Sequence, residues 1–171
     1  MDITNFRNKL GAGGARPNQF LVTLTWPSAV GAQASDDSIL VNSAVLPASA
    51  VAGTITQYRG REVKLAGERT FDPWTVTIIN SSDMKLRKQF ELWSDLMNNR
   101  VANTGVLQPS LYMTDLTVQQ LDRNDDVIRT YVLRDAFPTS VGEVQVRYDM
   151  DNVISESPIT FLYQRFDVTP V

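Results

Sequence analysis

The chain has 171 residues, of which 43% are hydrophobic and 20% are charged, a composition typical of one globular domain that folds without disulfides. It contains no Cys and no His, which excludes thiol nucleophiles, Ser-His-Asp triads, imidazole acid–base catalysis and zinc sites built on those residues. The net charge of −3 has the wrong sign for a protein that holds nucleic acid tightly through its phosphates.

No targeting or membrane segment stands out in the sequence. The first eighteen residues lack the continuous apolar stretch of a signal peptide, and no later run of about 18 apolar residues could span a bilayer. The absence of Cys also means that no disulfide framework points to secretion. We therefore expect a protein that is assembled in the cytoplasm and does not insert into a membrane.

The sequence predicts an N-terminal arm over residues 1–18 and one domain over residues 19–171. A Gly-rich stretch at 11–14 precedes Arg16, Pro17 and Asn18, which would break any helix begun earlier. A phosphate-binding role for the glycines is disfavoured, because they follow no strand and lack the Lys and Ser or Thr of a P-loop. A flexible arm is the favoured interpretation.

Two strands are predicted next. From Phe20 to Trp26 apolar side chains alternate with Leu21 and two threonines, the pattern of a half-buried strand. Residues 27–38 are small and polar and are interpreted as a loop. A second strand is predicted from Ile39 to Val45, after which Pro47 ends it.

Residues 48–70 sustain no hydrophobic period, which predicts a long extended loop or a loose hairpin. This segment is rich in charges of both signs. A solvated charge run, a nucleic-acid contact and a subunit contact all remain open, and mixed signs with interspersed apolar residues favour the subunit contact. The charged residues concerned are Arg59, Arg61, Glu62, Lys64, Glu68 and Arg69.

A strand and the chain's one predicted helix follow. Aromatic and β-branched residues over 74–79 predict the strand, and the side chains of 81–83 are suited to cap a helix that runs to about Asn99. A binding role for the aromatic stripe on this helix is less favoured than packing against a sheet. The predicted inward stripe comprises Leu86, Phe90, Trp93 and Met97, widened by Leu92 and Leu96.

The last third of the chain reads as strands. A hairpin is predicted from Leu116–Leu121 and Val127–Leu133, joined by a polar turn. A break is predicted at residues 137–139, followed by strands at Val141–Tyr148 and Ile159–Phe166. The predicted fold class is mainly β, a β-sandwich or barrel with one flanking α-helix.

Two sets of acidic residues could have a chemical role instead of a structural one. Residues 149–152 have calcium-like spacing, but the Gly and distal Glu of an EF-hand are missing, so a polar turn is favoured. Asp72 and Glu143 are candidates for an acid–base pair, which would make the chain a small hydrolase. Solvated carboxylates at strand ends are the favoured interpretation, and the sequence predicts no metal or cofactor site.

Five stretches, in order along nearly the whole chain, resemble the tail tube proteins of contractile-tailed, T-even-like bacteriophages. AGERTFDPWTVTIIN at Ala66–Asn80 is the strongest of them. The other four are ARPNQFLV at Ala15–Val22, AVLPAS at Ala44–Ser49, RKQFELW at Arg87–Trp93 and FPTSVGEVQVRYDMDN at Phe137–Asn152.

The resemblance implies a structural protein of the virion rather than an enzyme. Such subunits form six-membered rings that stack into a hollow tube inside a contractile sheath, and DNA and the tape-measure protein pass through the lumen. The expected partners are therefore further copies of the chain, the sheath protein, the tape-measure protein, the baseplate and tail terminator proteins, and DNA in transit. The alternative is the inner tube of a phage-like contractile injection or secretion system.

The resemblance also implies where the assembly contacts lie. The extended segment 48–70 would reach the neighbouring ring, and the arm 1–18 would add further contacts, so the six charged residues of that segment are the predicted inter-ring contacts. Acidic side chains facing the lumen would keep DNA from adhering. The residues predicted to face it are Glu143, Asp149 and Asp151.

Overall fold

A computed structural model describes residues 2–10, 14–31, 37–149 and 151–170 of the chain. Short 3-10 turns at Ser28–Val30, Asp37–Leu40 and Pro109–Leu111 interrupt the connections. The described helices and strands, in chain order, are α1 (Ile3–Leu10), β1 (Phe20–Thr23), β2 (Val41–Ala44), β3 (Ser49–Tyr58), β4 (Arg61–Phe71), β5 (Trp74–Ile79), α2 (Lys85–Met97), β6 (Thr114–Leu121), β7 (Val127–Val141), β8 (Glu156–Leu162) and β9 (Arg165–Pro170).

Two antiparallel sheets share the long strand β7. The first sheet has the order β1-β6-β7-β9, and the second has the order β7-β8-β5-β2. Strand β7 pairs with β6 and β9 through its first half and with β8 from Phe137 onward. Between the halves the register shifts and Asp135 adopts a positive φ of 54°. A bulge of this kind bends a strand, which lets β7 serve both sheets.

The core lies between the sheets and helix α2. Alternation along β5 buries Trp74, Val76 and Ile78 and leaves the residues between them half-buried. Strand β8 contributes Ile159 and Phe161 from the neighbouring position in the second sheet. The first sheet and the helix complete one continuous core with Val22, Leu86, Phe90, Trp93, Leu116, Val118 and Leu133. The mainly β sandwich with a flanking helix is therefore confirmed.

Helix α2 buries most of the predicted stripe. Leu86, Phe90 and Trp93 are buried and Met97 packs against them, but Leu92 is 47% exposed. Including Leu92 in the inward stripe was wrong, because at 100° per residue it turns away from the face that Phe90 and Trp93 share. The predicted capping by residues 81–83 is met only in part. The Asp83 carboxylate accepts the N–H of Lys85 at 3.3 Å, but the N-cap residue is Met84, which has a positive φ of 51° and makes no side-chain cap hydrogen bond.

Three predictions for the C-terminal third were wrong. The expected break at 137–139 lies inside β7, where Pro138 is paired with Phe161 of β8. The strand expected at Val141–Tyr148 is absent, since the described chain leaves the sheet after Val141 and runs irregularly to residue 155. The strand expected at Ile159–Phe166 is two strands, because β8 pairs with the second half of β7 and β9 with the first half.

The elements of the N-terminal half also differ from the prediction. The arm contains a helix, α1, so the described chain has two helices rather than one, and β1 is shorter than the predicted Phe20–Trp26. The second strand begins at Val41, after a 3-10 turn, rather than at Ile39. The segment 48–70 is a paired hairpin of β3 and β4. Predictions that fall on residues 11–13, 32–36 and 150 lie outside the described residues.

Candidate assembly surfaces

The β3–β4 hairpin projects from the sandwich with both faces exposed. Every residue from Ala50 to Ala66 is exposed, and within the hairpin only Ser49, Gly67 and Phe71 are half-buried. An isolated two-stranded hairpin is marginally stable in water, because neither face buries apolar surface. The apolar side chains of the hairpin are thus left uncovered by the described chain.

The turn at the tip fixes the register of the hairpin. Tyr58 pairs with Arg61, and the two residues between them, Arg59 and Gly60, have φ values of 46° and 80°. Positive φ at both positions is the signature of a type I′ turn, whose twist matches that of the flanking strands. The segment is therefore a specified hairpin rather than a loose loop.

The hairpin has two chemically different faces. The pairs Gln57–Glu62, Ile55–Lys64 and Val51–Arg69 form the charged face. The pairs Thr54–Leu65, Thr56–Val63 and Tyr58–Arg61 form the apolar face. Exposed fractions of 64% for Tyr58 and 55% for Leu65 show how much apolar surface that second face presents to solvent.

The six charged residues predicted as contacts do not lie on one face. Glu62, Lys64 and Arg69 lie together on the charged face, whereas Arg61 lies on the apolar face. Arg59 lies in the turn. Glu68 lies in β4 opposite the stretch from Val51 to Gly53 of β3, where the pairing register shifts. The structure thus brings half of the predicted set together and distributes the rest over the tip and the bulge.

These charges have few partners within the chain. Arg69 donates a hydrogen bond to Ser49 Oγ at 2.7 Å, and the Arg59 guanidinium lies 5.6 Å from the Tyr58 ring centroid. Among the described residues, the ion pairs of the structure all lie outside the hairpin. Four basic and two acidic side chains are therefore available to a partner.

The base of the hairpin is anchored on the sandwich. The Phe71 ring centroid lies 5.9 Å from that of Tyr163 and 5.7 Å from that of Phe166. Ala48 O accepts the backbone N–H of Asp72 and the Tyr163 hydroxyl, each at 3.3 Å. Burial, and to a lesser degree the charge of Asp72, raises the pKa of Tyr163. This base holds the exposed strands in a fixed direction.

The predicted lumen-facing residues lie on an irregular loop, residues 142–155. Glu143, Asp149 and Asp151 are all exposed. Asp149 accepts a hydrogen bond from Arg147 at 2.8 Å, which gives that carboxylate a structural role in the loop. Glu143 lines an open groove of about 550 Å³ between the two arms of the loop, and the two aspartates lie outside that lining.

The loop is fixed at both ends by hydrogen bonds. The N–H of Gly142 donates to Pro158 O at 2.7 Å. Arg87 of α2 donates to Gly142 O at 3.0 Å and to Ser157 Oγ at 2.8 Å. A side chain added at Gly142 would lie 2.6 Å from Pro158 O, so glycine is required where the two ends approach.

Helix α1 is a surface that sequence reasoning missed. Ile3, Phe6 and Leu10 are 76%, 64% and 42% exposed, and the helix buries no residue. Their spacing of three and four places them on one face of a helix. That spacing was the available signal, and the Gly-rich stretch after it drew the prediction toward an unstructured arm.

The hydrolase alternative finds no shared site. Asp72 is exposed at the base of the hairpin, and the residues lining the groove of Glu143 do not include it. Among the described residues no three acidic side chains are grouped as a metal site would require. None of the described helices has the length and apolar character needed to cross a membrane.

Chains in two solved assemblies share the fold. A chain of the anti-feeding prophage baseplate is 16% identical and superposes with a TM-score of 0.66 over 92% of this chain and 96% of its own. A chain of the PVC extracellular contractile injection system, from its sheath-tube complex in the extended state, is 17% identical with a TM-score of 0.59 over 96% and 97%.

Sequence comparison identifies the family. The tail tube protein of Serratia phage KSP90 is 27% identical over 162 residues, which cover 92% of this chain and 90% of that protein. Tail tube protein gp19 of Enterobacteria phage T4 is 27% identical over 147 residues, 85% of this chain and 86% of its own. The sequence model described as phage tail tube protein matches residues 15–169. The chain therefore belongs to the phage tail tube protein family.

Proposed function

We propose that this structural protein of the phage tail tube assembles into six-membered rings, and that the rings stack into a hollow conduit for DNA ejection inside a contractile sheath. The observation that carries the proposal is the β3–β4 hairpin, whose two faces are exposed from Ala50 to Ala66. A soluble monomer gains nothing from such an element, whereas a polymer of identical subunits can cover both faces.

The solved relatives support a ring of this kind. The anti-feeding prophage baseplate that contains a chain of the same fold is described as 6-fold symmetrised. The related PVC chain comes from a complex of sheath and tube. We therefore assign a surrounding sheath to this chain's tube as well, together with baseplate and terminator proteins at its ends and a tape-measure protein in its lumen.

The hairpin is proposed as the contact between rings. Its charged face and tip carry Arg59, Arg61, Glu62, Lys64, Glu68 and Arg69, which meet complementary charges of the next ring. The apolar face, with Tyr58 and Leu65, supplies the buried area that an obligate contact needs. Charge thus sets the register between rings, and apolar burial supplies the affinity.

The loop of residues 142–155 is proposed to line the lumen. Glu143, Asp149 and Asp151 are exposed, and each subunit has a net charge of −3 that the ring multiplies. Fixed negative charge repels phosphates and prevents the counterion release that drives non-specific DNA binding. DNA would then pass through without specific binding.

The proposed location is the tail of the virion, after assembly in the host cytoplasm, and the proposed activity is assembly rather than catalysis. A second candidate is the inner tube of a phage-like contractile injection system. The similarity in fold to the PVC and anti-feeding prophage chains favours it. Neighbouring genes for capsid and DNA packaging proteins would decide for the phage.

Negative-stain electron microscopy of the purified chain tests the proposal. Rings or tubes are expected at high protein concentration or on addition of a baseplate seed. Monomers that persist under both conditions would contradict it. A matching control is the chain without its hairpin, which should stay monomeric while it remains folded.

A further inference from the structure

Helix α1 carries an apolar face that its own chain leaves uncovered. Ile3, Phe6 and Leu10 lie on this face, and the helix buries no residue. At 100° per residue the basic side chains Arg7 and Lys9 flank the face on its two sides. The helix is thus shaped to enter an apolar groove whose borders are acidic.

The groove of the 142–155 loop has that character. Its walls include Val146, Val153 and Ile154, which are 86%, 64% and 67% exposed. Glu143 and Glu156 also line the groove. Its volume of about 550 Å³ is open to solvent, so apolar surface that ordinarily marks a binding site is left uncovered here.

The charges of the two surfaces are complementary. Arg147, the one basic residue that lines the groove, is already paired with Asp149 at 2.8 Å. Glu156 accepts a hydrogen bond from Asn42 at 2.6 Å, which orients its carboxylate without neutralising it. The groove therefore presents net negative charge to the basic flanks of the helix.

We propose that α1 of one copy docks in the 142–155 groove of a neighbouring copy, with Phe6 between Val146 and Ile154 and with Arg7 and Lys9 beside Glu143 and Glu156. Glu143 would then serve this contact, and Asp149 and Asp151, which lie outside the groove lining, would remain to face the lumen. The nine residues from Gly11 to Gln19 can span at most about 30 Å, which sets the greatest distance from β1 at which α1 could reach the groove of an adjacent subunit. The docking rests on the proposed ring assembly and names the receptor surface for the arm.

A disulfide test suits this chain because it has no native Cys. In assembled tubes, the double variant Phe6→Cys with Ile154→Cys should give a ladder of covalent oligomers under mild oxidation. The matched control, Phe6→Cys with Val101→Cys, uses a residue that is 96% exposed outside the groove and should stay monomeric on a denaturing gel.

The outcomes separate the docking from the proposed function. Tubes that form without a ladder, or that give only an intramolecular link, overturn the docking and leave the function intact. If the wild-type chain forms no rings or tubes, the function fails and the docking fails with it. A ladder in the test pair alone supports both.

Reversing the charges of α1 and of the groove gives a second test of the docking, one that introduces no Cys. Arg7→Glu with Lys9→Glu should raise the protein concentration required for assembly by roughly tenfold, since surface pairs are individually weak. Adding Glu143→Lys and Glu156→Lys to the same chain should restore assembly. Failure of the four-site variant to improve on the two-site variant would count against the docking, provided that its circular dichroism spectrum is that of the folded chain.

Discussion

At the scale of single residues, Arg59 and Arg61 are the sharpest test of the inter-ring contact. Both lie at the hairpin tip, outside the ion pairs of the described chain. We expect Arg59→Glu with Arg61→Glu to abolish ring stacking, because like charges would then meet the partner surface. The melting temperature should change little, since exposed charges contribute little to a domain's own stability. Electron microscopy and circular dichroism measure the two effects.

The control for the tip is an equal charge reversal elsewhere. Lys88 on α2 and Arg123 in the β6–β7 turn are also exposed. The variant Lys88→Glu with Arg123→Glu should still form tubes, so that net charge alone is excluded as the cause. Normal tubes from the tip variant would show that Arg59 and Arg61 do not hold the rings together.

A second residue-scale prediction concerns acid stability. Arg134 donates hydrogen bonds to Asp167 at 2.7 Å and to Asp115 at 2.5 Å, so it joins the first half of β7 to β6 and β9. The hydrogen bond from Arg134 is the main cause that lowers the pKa of Asp167, and desolvation opposes it. The folded chain therefore binds the Asp167 proton less readily than the unfolded chain does.

The sign of the pH dependence follows from that lowered pKa. The stabilising contribution is present above the unfolded value of about 3.9 and is lost as the pH falls through the lower folded value. We expect Arg134→Met to raise the pKa of Asp167, measured by carboxyl ¹³C NMR, and to weaken the dependence of stability on pH in this acidic window. Arg165→Met, which removes a lesser cause, should give a smaller rise. An unchanged Asp167 titration in Arg134→Met would contradict the assignment.

At the scale of elements, α2 is held by an aromatic cluster. Trp93 is fully buried, its ring centroid lies 6.1 Å from that of Phe161, and its Nε1 donates to Tyr112 O at 2.7 Å. We expect Trp93→Ala to lower the free energy of unfolding by about 3–5 kcal/mol, because a large buried ring leaves a cavity. Leu92→Ala, on the exposed side of the helix, should stay within about 0.5 kcal/mol. Chemical denaturation measures both, and equal losses would contradict the packing.

Elements with a buried face were predictable from sequence. The stripe of Leu86, Phe90 and Trp93 identified α2, and the alternation of Trp74, Val76 and Ile78 identified β5, because burial against one core imposes a period. Helix α2 and strand β5 also contain or lie within two of the stretches that resemble the family, Arg87–Trp93 and Ala66–Asn80. The local pattern and the family resemblance therefore agreed for these two elements.

Elements that cross between sheets or face solvent were not predictable in the same way. Pro138 read as a break, yet β7 continues through it because the strand changes partners there. Val144, Val146 and Tyr148 alternate like a strand, but no strand of the described chain pairs with them. Val144 and Val146 instead line the groove that is proposed to receive a neighbouring copy. A single chain's folding rules do not describe such a surface.

The hairpin gives an element-scale prediction of its own. Replacing residues 52–68 by Asn-Gly would leave Val51 opposite Arg69 across a two-residue type I′ turn, so the base and its contacts remain. We expect a folded monomer with a melting temperature near that of the parent chain, and no tubes. A large loss of stability would show that the projecting strands support the sandwich, and tubes of normal appearance would remove the hairpin from the inter-ring contact.

At the scale of the whole molecule, charge is distributed between the two surfaces for which different roles are proposed. The hairpin carries four basic and two acidic side chains, and the 142–155 loop carries Glu143, Asp149 and Asp151 with one arginine. In the proposed assembly a subunit would adhere to its copies and at the same time let DNA pass. Placing net positive charge on the hairpin and net negative charge on the loop would allow one small chain to meet both requirements.

The lumen proposal yields the prediction that tests this distribution directly. Asp151→Lys changes the charge by two units in every subunit, and in a ring the change is repeated at the same height. Assembled tubes of this variant should retain double-stranded DNA at low salt and release it steeply as salt increases, because each lysine that neutralises a phosphate releases counterions. Asp126→Lys, an equal change at an exposed position in the β6–β7 turn, should leave DNA retention as low as in the wild type. Equal retention by the two variants would show that the loop does not line the channel.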